Sequence, residues 1–171
     1  INFGTRSEEN AEKSLLLYRD SFGEALIPLL STNLGRAVYS QEFPYNLELN
    51  GESYGMIMIE LVERNIPNLL TGAPLMQASE KQLPTDAVSV SCTANAQKRS
   101  GFTQLYGSIA AYPAAERIYI EVACTDGAVR VYEAFPVNDS GDADPAWESA
   151  SGYLLTLPEG IEGEVSGAYI G

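Results

Sequence analysis

Apolar residues fall at Ala11, Leu15, Tyr18, Phe22, Leu26 and Leu29. Steps of three and four draw one stripe along a helix. Ser7 stands where an N-cap is wanted, and Glu8 and Glu9 suit the first turn. Pro28 kinks this helix or starts a second short one running to about Gly35. The pattern therefore predicts a helical segment over 7–35 that packs by its apolar face. A partner-binding helix is the second reading of the same stripe.

From about residue 45 the period shortens to two. Tyr45–Leu49 and Glu52–Val62 flank Asn50-Gly51, a pair that tolerates the positive φ angles of a type I′ turn, so a hairpin is predicted. Ile118–Thr125 and Ala128–Phe135 flank Asp126-Gly127 in the same way. A two-residue turn there sets Cys124 opposite Val129 and Val122 opposite Val131. One face then carries Ile118, Ile120, Val122, Cys124, Val129 and Val131; the other carries Tyr119, Glu121, Arg130 and Tyr132. Ala87–Thr93, Phe102–Tyr112, Gly152–Leu157 and Glu164–Ile170 read as further strands. Asn65, Pro67 and Pro74 interrupt residues 63–86, where Asn68–Gln77 is a candidate short helix. Asn138–Glu148 is a polar loop. The expectation is one α+β domain over residues 1–171, its helical N-terminal segment packed on a mainly antiparallel sheet spanning about 45–171.

Strand parity bears on the two cysteines. Cys92 shares its face with Val88 and Val90, and Cys124 shares its face with Ile120 and Val122. Both point to the apolar side, and a Cys92–Cys124 disulfide is predicted, contributing about 3–4 kcal/mol in the chain-entropy model. The alternative is two reduced core cysteines. Their placement fits neither a metal site nor a CxxC redox motif. The predicted bridge, with a first residue Ile1 rather than Met, suggests an exported chain. Its expected location is extracytoplasmic (periplasmic, secreted or cell surface), with an N-terminal signal or anchor removed.

Composition narrows the classes. Ten basic residues stand against 23 acidic ones, a net charge of −13. A field of that sign repels phosphate backbones and anionic lipid, so nucleic acid is not an expected partner. No apolar run reaches the roughly 18–20 residues of a membrane span. The chain has no histidine, which excludes a Ser-His-Asp triad, a Cys-His dyad and almost every catalytic zinc site. Phosphate-cradling glycine motifs are absent, and no cofactor is expected.

Three motifs remain. Gly51-Glu52-Ser53-Tyr54-Gly55 matches the G-x-S-x-G nucleophile elbow and resembles the corresponding stretch of serine carboxypeptidases. That resemblance implies an α/β-hydrolase fold with Ser53 as nucleophile; it also requires a downstream histidine. The hairpin at Asn50-Gly51 accounts for the same residues, and Ser53 is expected not to be a nucleophile. In the loop that begins at Asn138, Asp139, Asp142, Asp144 and Glu148 are candidate calcium ligands. Ala143 stands where an EF-hand loop needs Gly, and Ser149 where it needs Glu, so a solvated loop without metal is expected. Finally, the chain holds ten tyrosines and one tryptophan. Tyr106, Tyr112, Tyr119 and Tyr132 are placed to line a sheet face, and Tyr106, Tyr119 and Tyr132 are the candidates for binding protein or sugar. Ordinary cross-strand pairing is the plainer reading.

Together these readings suggest an exported, non-enzymatic structural or binding module, working by its surface through protein partners or self-assembly in an extracellular or envelope assembly. A helix leading into a disulfide-bonded antiparallel sheet is similar in layout to type IV pilin headpieces, although those place the second cysteine nearer the C-terminus than Cys124. The alternative is a small extracytoplasmic hydrolase using a carboxylate pair on sugar or peptide, whose mark would be a deep pocket with two acids about 5–10 Å apart.

Overall fold

The computed structural model describes residues 3–8, 10–48, 51–109, 117–138 and 151–171. Asn50, Tyr112 and the candidate calcium ligands Asp139, Asp142, Asp144 and Glu148 lie outside them. The chain divides into two compact units, Ile1–Ile66 and Pro67–Gly171.

The first unit is a four-stranded mixed sheet. Strands β1 (Phe3–Arg6), β2 (Ser14–Arg19), β3 (Arg36–Ser40) and β4 (Met56–Glu60) lie in the order β1-β3-β2-β4. β2 runs parallel to both β3 and β4, and β1 is antiparallel to β3. Leu15, Leu16, Leu17 and Tyr18 are all buried, as expected of a central parallel strand covered on both faces. On one face Leu15 and Leu17 pack with Ala37 and Tyr39 against Ile27, Leu30 and Leu34. Ile27 and Leu30 belong to the short helix α1 (Ile27–Ser31), which continues a 3₁₀ turn over Phe22–Leu26. Pro28 sits in the first turn of α1, where its missing N–H costs nothing. On the other face the Tyr18 hydroxyl donates to the Asn46 carbonyl at 2.6 Å, and the Tyr18 and Tyr45 rings lie 5.2 Å apart.

This arrangement overturns the helix read over 7–35. Its N-terminal half is strand, because four successive apolar residues bury both faces of β2, and such a run carries no period that separates strand from helix. Asn10, at φ 55°, turns the chain just before β2. The hairpin at Asn50-Gly51 is overturned as well: β4 pairs in parallel with β2.

The second unit is a seven-stranded antiparallel sheet. Its strands are β5 (Val88–Val90), β6 (Asn95–Arg99), β7 (Phe102–Ser108), β8 (Ile118–Cys124), β9 (Val129–Val137), β10 (Gly152–Thr156) and β11 (Gly163–Ile170). The order is β5-β11-β8-β9-β10-β7-β6. The two edges, β5 and β6, are neighbours in sequence, so the sheet curls until one stretch of chain serves both ends. The core on its inner face includes Leu105, Ile118, Ile120, Val122, Tyr132, Ala134, Tyr153 and Leu155. Ser100 and Gly101 both have positive φ between β6 and β7, the geometry of a two-residue type I′ turn.

The fold is therefore mostly strand in two sheets, and the expected α+β layout of helix on sheet is corrected, along with its likeness to a pilin headpiece. The disulfide is corrected too: Cys92 and Cys124 are free thiols. Parity placed both toward one core, but β11 intervenes between β5 and β8. Two strand spacings are about 9–10 Å, beyond the roughly 7 Å between Cα atoms that a bridge tolerates. Cys92, past the end of β5, bridges instead to Ile109 after β7.

The β8–β9 hairpin forms one residue out of the expected register. Val122 faces Arg130 and Ile120 faces Tyr132. The Cys124 N–H donates to the Ala128 carbonyl at 2.8 Å, closing a three-residue loop over Thr125, Asp126 and Gly127, with Gly127 at φ 85°. Such a loop takes up one residue more than a two-residue turn, and a slip of one exchanges the faces of the following strand. Tyr132 and Ala134 therefore point inward, while Val129 is 62% exposed.

Candidate functional site

Among the described residues β4 is an edge of the first unit's sheet, paired with β2 on one side only. Its register partners assign its faces. Met56 and Met58 lie beside Leu15 and Leu17 on the α1 face, and Ile57 and Ile59 lie beside Leu16 and Tyr18. All four are at least 36% exposed, Met56 as much as 57%. Edge strands are normally blunted by lysine, proline, a bulge or a covering element. Within Met56–Ile59 none of these residues occurs, and the parallel register with β2 runs without a shift.

Beside this edge, on the α1 face, lies a groove of about 380 Å³. Leu15, Leu29, Leu30, Leu34, Met56 and Met58 form its apolar walls. Glu12, Lys13, Ser14 and Asn33 make a polar end. The volume is within the range of small-ligand and side-chain pockets. Leu29 remains 69% exposed at its margin.

Polar ties hold β4 at both ends. At its start, Arg36 on β3 donates to Glu52 at 2.6 Å and lies 4.8 Å from the Tyr54 ring centroid. The Tyr54 hydroxyl also donates to Glu52. These donors, Tyr54 first and then Arg36, hold the Glu52 carboxyl below the usual carboxylate range. The Gly55 N–H then donates to Ser14 Oγ at 2.8 Å, drawing the chain onto β2. Beyond its end, Asp20 accepts from the N–H groups of Val62 at 2.9 Å and Phe22 at 2.8 Å, and from Asn65 Nδ2 at 3.2 Å. The Val62 bond is the largest of the effects that lower its carboxyl pKa. The strand is thus fixed at its ends and open along its length, an arrangement suited to receiving another strand in extended form.

The residues singled out from sequence fall elsewhere or play other parts. Ser53 is exposed in the segment that leads into β4. An elbow needs a strand-to-helix turn at the serine; here a strand follows. Tyr132 and Tyr119 are buried at 1% and 6% exposure, and Tyr106 is half-buried, so these rings do not form an exposed binding face. Burial pushes the Cys92 thiol pKa up, away from reactive thiolate behaviour. Among the described residues no group of three or more Cys, Asp or Glu is placed to hold a metal ion. One surface depression carries two acids, Glu162 and Glu164. Glu162 is ion-paired with Lys98, both side chains 58% exposed, and its pKa is lowered. That setting differs from the apolar pocket that keeps a glycosidase acid protonated. Among the described residues no helix is long and apolar enough to cross a membrane.

The β4 groove was missed in sequence because Glu52–Val62 was read as a hairpin strand paired with Tyr45–Leu49, whereas β4 pairs with β2. The available signal was Met-Ile-Met-Ile itself, apolar on both parities with no polar face. Such a run is a central strand or an uncovered edge, and the sheet order decides between them. Compared with known proteins, the chain matches no protein family, and no curated protein or solved structure is significantly similar to it.

Proposed function

We propose that this chain is a non-enzymatic binding or assembly module that accepts an extended polypeptide segment as an added strand on β4. The observation that carries the reading is the four-residue apolar run Met56–Ile59, exposed on a sheet edge that is tied down at both ends. Main-chain hydrogen bonds to the free edge supply affinity, and the groove selects alternate apolar side chains of the incoming segment. Contiguous exposed apolar surface along an unpaired sheet edge favours an interaction site. The absence of histidine supports the non-enzymatic part. With both thiols free, export no longer contributes to the reading.

The test is selection of a displayed random-peptide library on the purified protein, with an Ile57→Lys/Ile59→Lys variant as the counter-screen. Enriched peptides should carry apolar residues at every second position and lose binding to the variant. A library that yields no sequence sensitive to this edge refutes the proposal.

A further inference from the structure

The second unit's sheet is split, and the chain fills the split with its own residues. Among the described residues β9 and β10 pair only where Phe135, Pro136 and Val137 face Leu154, Tyr153 and Gly152. Beyond Phe135 the two strands part, and residues 77–81 lie between them. Gln77 bridges Thr156 in parallel, and Glu80 bridges Tyr132 antiparallel. The Ala78 N–H donates to the Thr156 carbonyl at 2.8 Å, and the Lys81 N–H donates to the Val131 carbonyl at 2.8 Å. The insert thus bonds through its main chain to one strand on each side, as a segment added to a sheet does.

We propose that this split is a strand-acceptor site occupied from within by residues 77–81, and that an extended segment of another polypeptide displaces them. The site lies in the second unit and does not use β4. Three observations support displacement. The first is a slight hold. Each junction is an isolated bridge, whereas β8 pairs with β9 over residues 118–123. Pro74 and Pro84 have no N–H to donate and bound the insert, so pairing cannot spread along it. Its ion pairs are long, Glu80 to Arg130 at 4.0 Å and Lys81 to Glu133 at 3.9 Å, and Arg130 already holds Asp126 at 2.7 Å. Exposed pairs of this kind contribute little. The second is an incomplete fill. A cleft of about 210 Å³ remains beside the insert, bordered by Met76, Ala78, Ala134, Phe135 and Pro136. The third is an open way out. Ser79, Glu80 and Lys81 are exposed, while Leu75 just upstream is buried. The insert can leave with that anchor in place. The anchor also keeps a released insert beside its own molecule, which favours a different polypeptide over exchange between two copies.

The insert's contacts state what the incoming segment carries. Ala78 packs against the core, so the inward position takes a small apolar residue. An acid two positions later meets Arg130, and a base at the next position meets Glu133.

A fluorescently labelled synthetic peptide of residues 75–82, followed by anisotropy, tests the site. In the wild-type chain the covalent insert competes, so the peptide binds only the fraction of molecules whose split is open. Ala78→Asp sets a carboxylate against the core and expels the insert, and the variant should bind the wild-type peptide about tenfold more tightly than the wild-type chain does. A peptide carrying Ala78→Asp should bind neither chain. A purely structural insert gives no such gain. In the wild-type chain, the Ala78 and Lys81 amides should exchange through local opening, about tenfold or more faster than the β8 amides and without dependence on low urea. A variant that binds the peptide no better than wild type overturns the proposal. So does an Ala78→Asp chain that loses its far-UV circular dichroism, or insert amides that exchange only with global unfolding. A wild-type dimer that Ala78→Asp abolishes assigns the split to exchange between copies and overturns it as well.

Discussion

Replacing Tyr132 and Val129 in turn discriminates between the two registers open to the β8–β9 hairpin. In the structure Tyr132 is 1% exposed within the second unit's core, and Val129 is 62% exposed. A buried tyrosine ring removes about 150–250 Å² from water, worth about 4–6 kcal/mol at 25 cal/mol/Å². Partial collapse of the cavity brings the expected loss for Tyr132→Ala to about 3–5 kcal/mol. Val129→Thr keeps the β-branched shape at an exposed site and should change stability by less than about 0.5 kcal/mol. Urea unfolding followed by far-UV circular dichroism reads both. With a slope of about 2 kcal/mol/M, the transition of the second unit should move down by about 2 M for Tyr132→Ala and stay in place for Val129→Thr. A two-residue turn exchanges the roles: Val129 becomes core, where a threonine hydroxyl is costly, and Tyr132 becomes surface. A larger loss for Val129→Thr than for Tyr132→Ala therefore refutes the three-residue loop and the core built on it.

A Cβ at Gly107 would overlap the Thr93 carbonyl oxygen, a backbone atom that cannot swing aside. Gly107→Ala should lower stability by about 2–3 kcal/mol, whereas Gly101→Ala, in open space at φ 86°, should cost about 1 kcal/mol; thermal melts rank the two. The carboxyl of Asp126 is held below its usual pKa, by Arg130 first and then the Ala128 N–H, as Asp20 is by its backbone donors. The stability they contribute is present above the unfolded value near pH 4 and is lost as pH falls through the lowered native values. Asp20→Asn and Asp126→Asn should each flatten the acid limb of a stability–pH curve, and a limb unchanged in both variants contradicts the assignment. Alkylation after unfolding without reductant should label both Cys92 and Cys124, and a mass showing neither modified would restore the disulfide.

The hydrophobic pattern was sufficient where local chemistry and burial agree. Ile118, Ile120, Val122 and Cys124 alternate inward along β8, and Asp126-Gly127 marks the turn, because each depends on residues within a few positions of one another. Segments near β5, β7, β10 and β11 were legible as strands, although β7 buries the consecutive residues Thr103, Gln104 and Leu105 and Val88 of β5 is exposed. The absence of histidine and the net acidity, read from the chain alone, bounded the chemistry.

Tertiary structure decided what depends on neighbours far along the chain. Leu15–Tyr18 and Met56–Ile59 are both unbroken apolar runs. Leu15–Tyr18 became a central strand covered on both faces, and Met56–Ile59 the open edge that forms the candidate site. Nothing within either run distinguishes them, since the difference is whether a strand lies on one side or both. Cys92 and Cys124 had matching parity, yet the interposed β11 set the distance between their strands, and strand order is not a property of any local stretch. The hairpin register turned on a single residue, Thr125, which joins Asp126 and Gly127 in the loop. Both turns satisfy the same dipeptide, and the choice between them lies in which partner strand buries Tyr132.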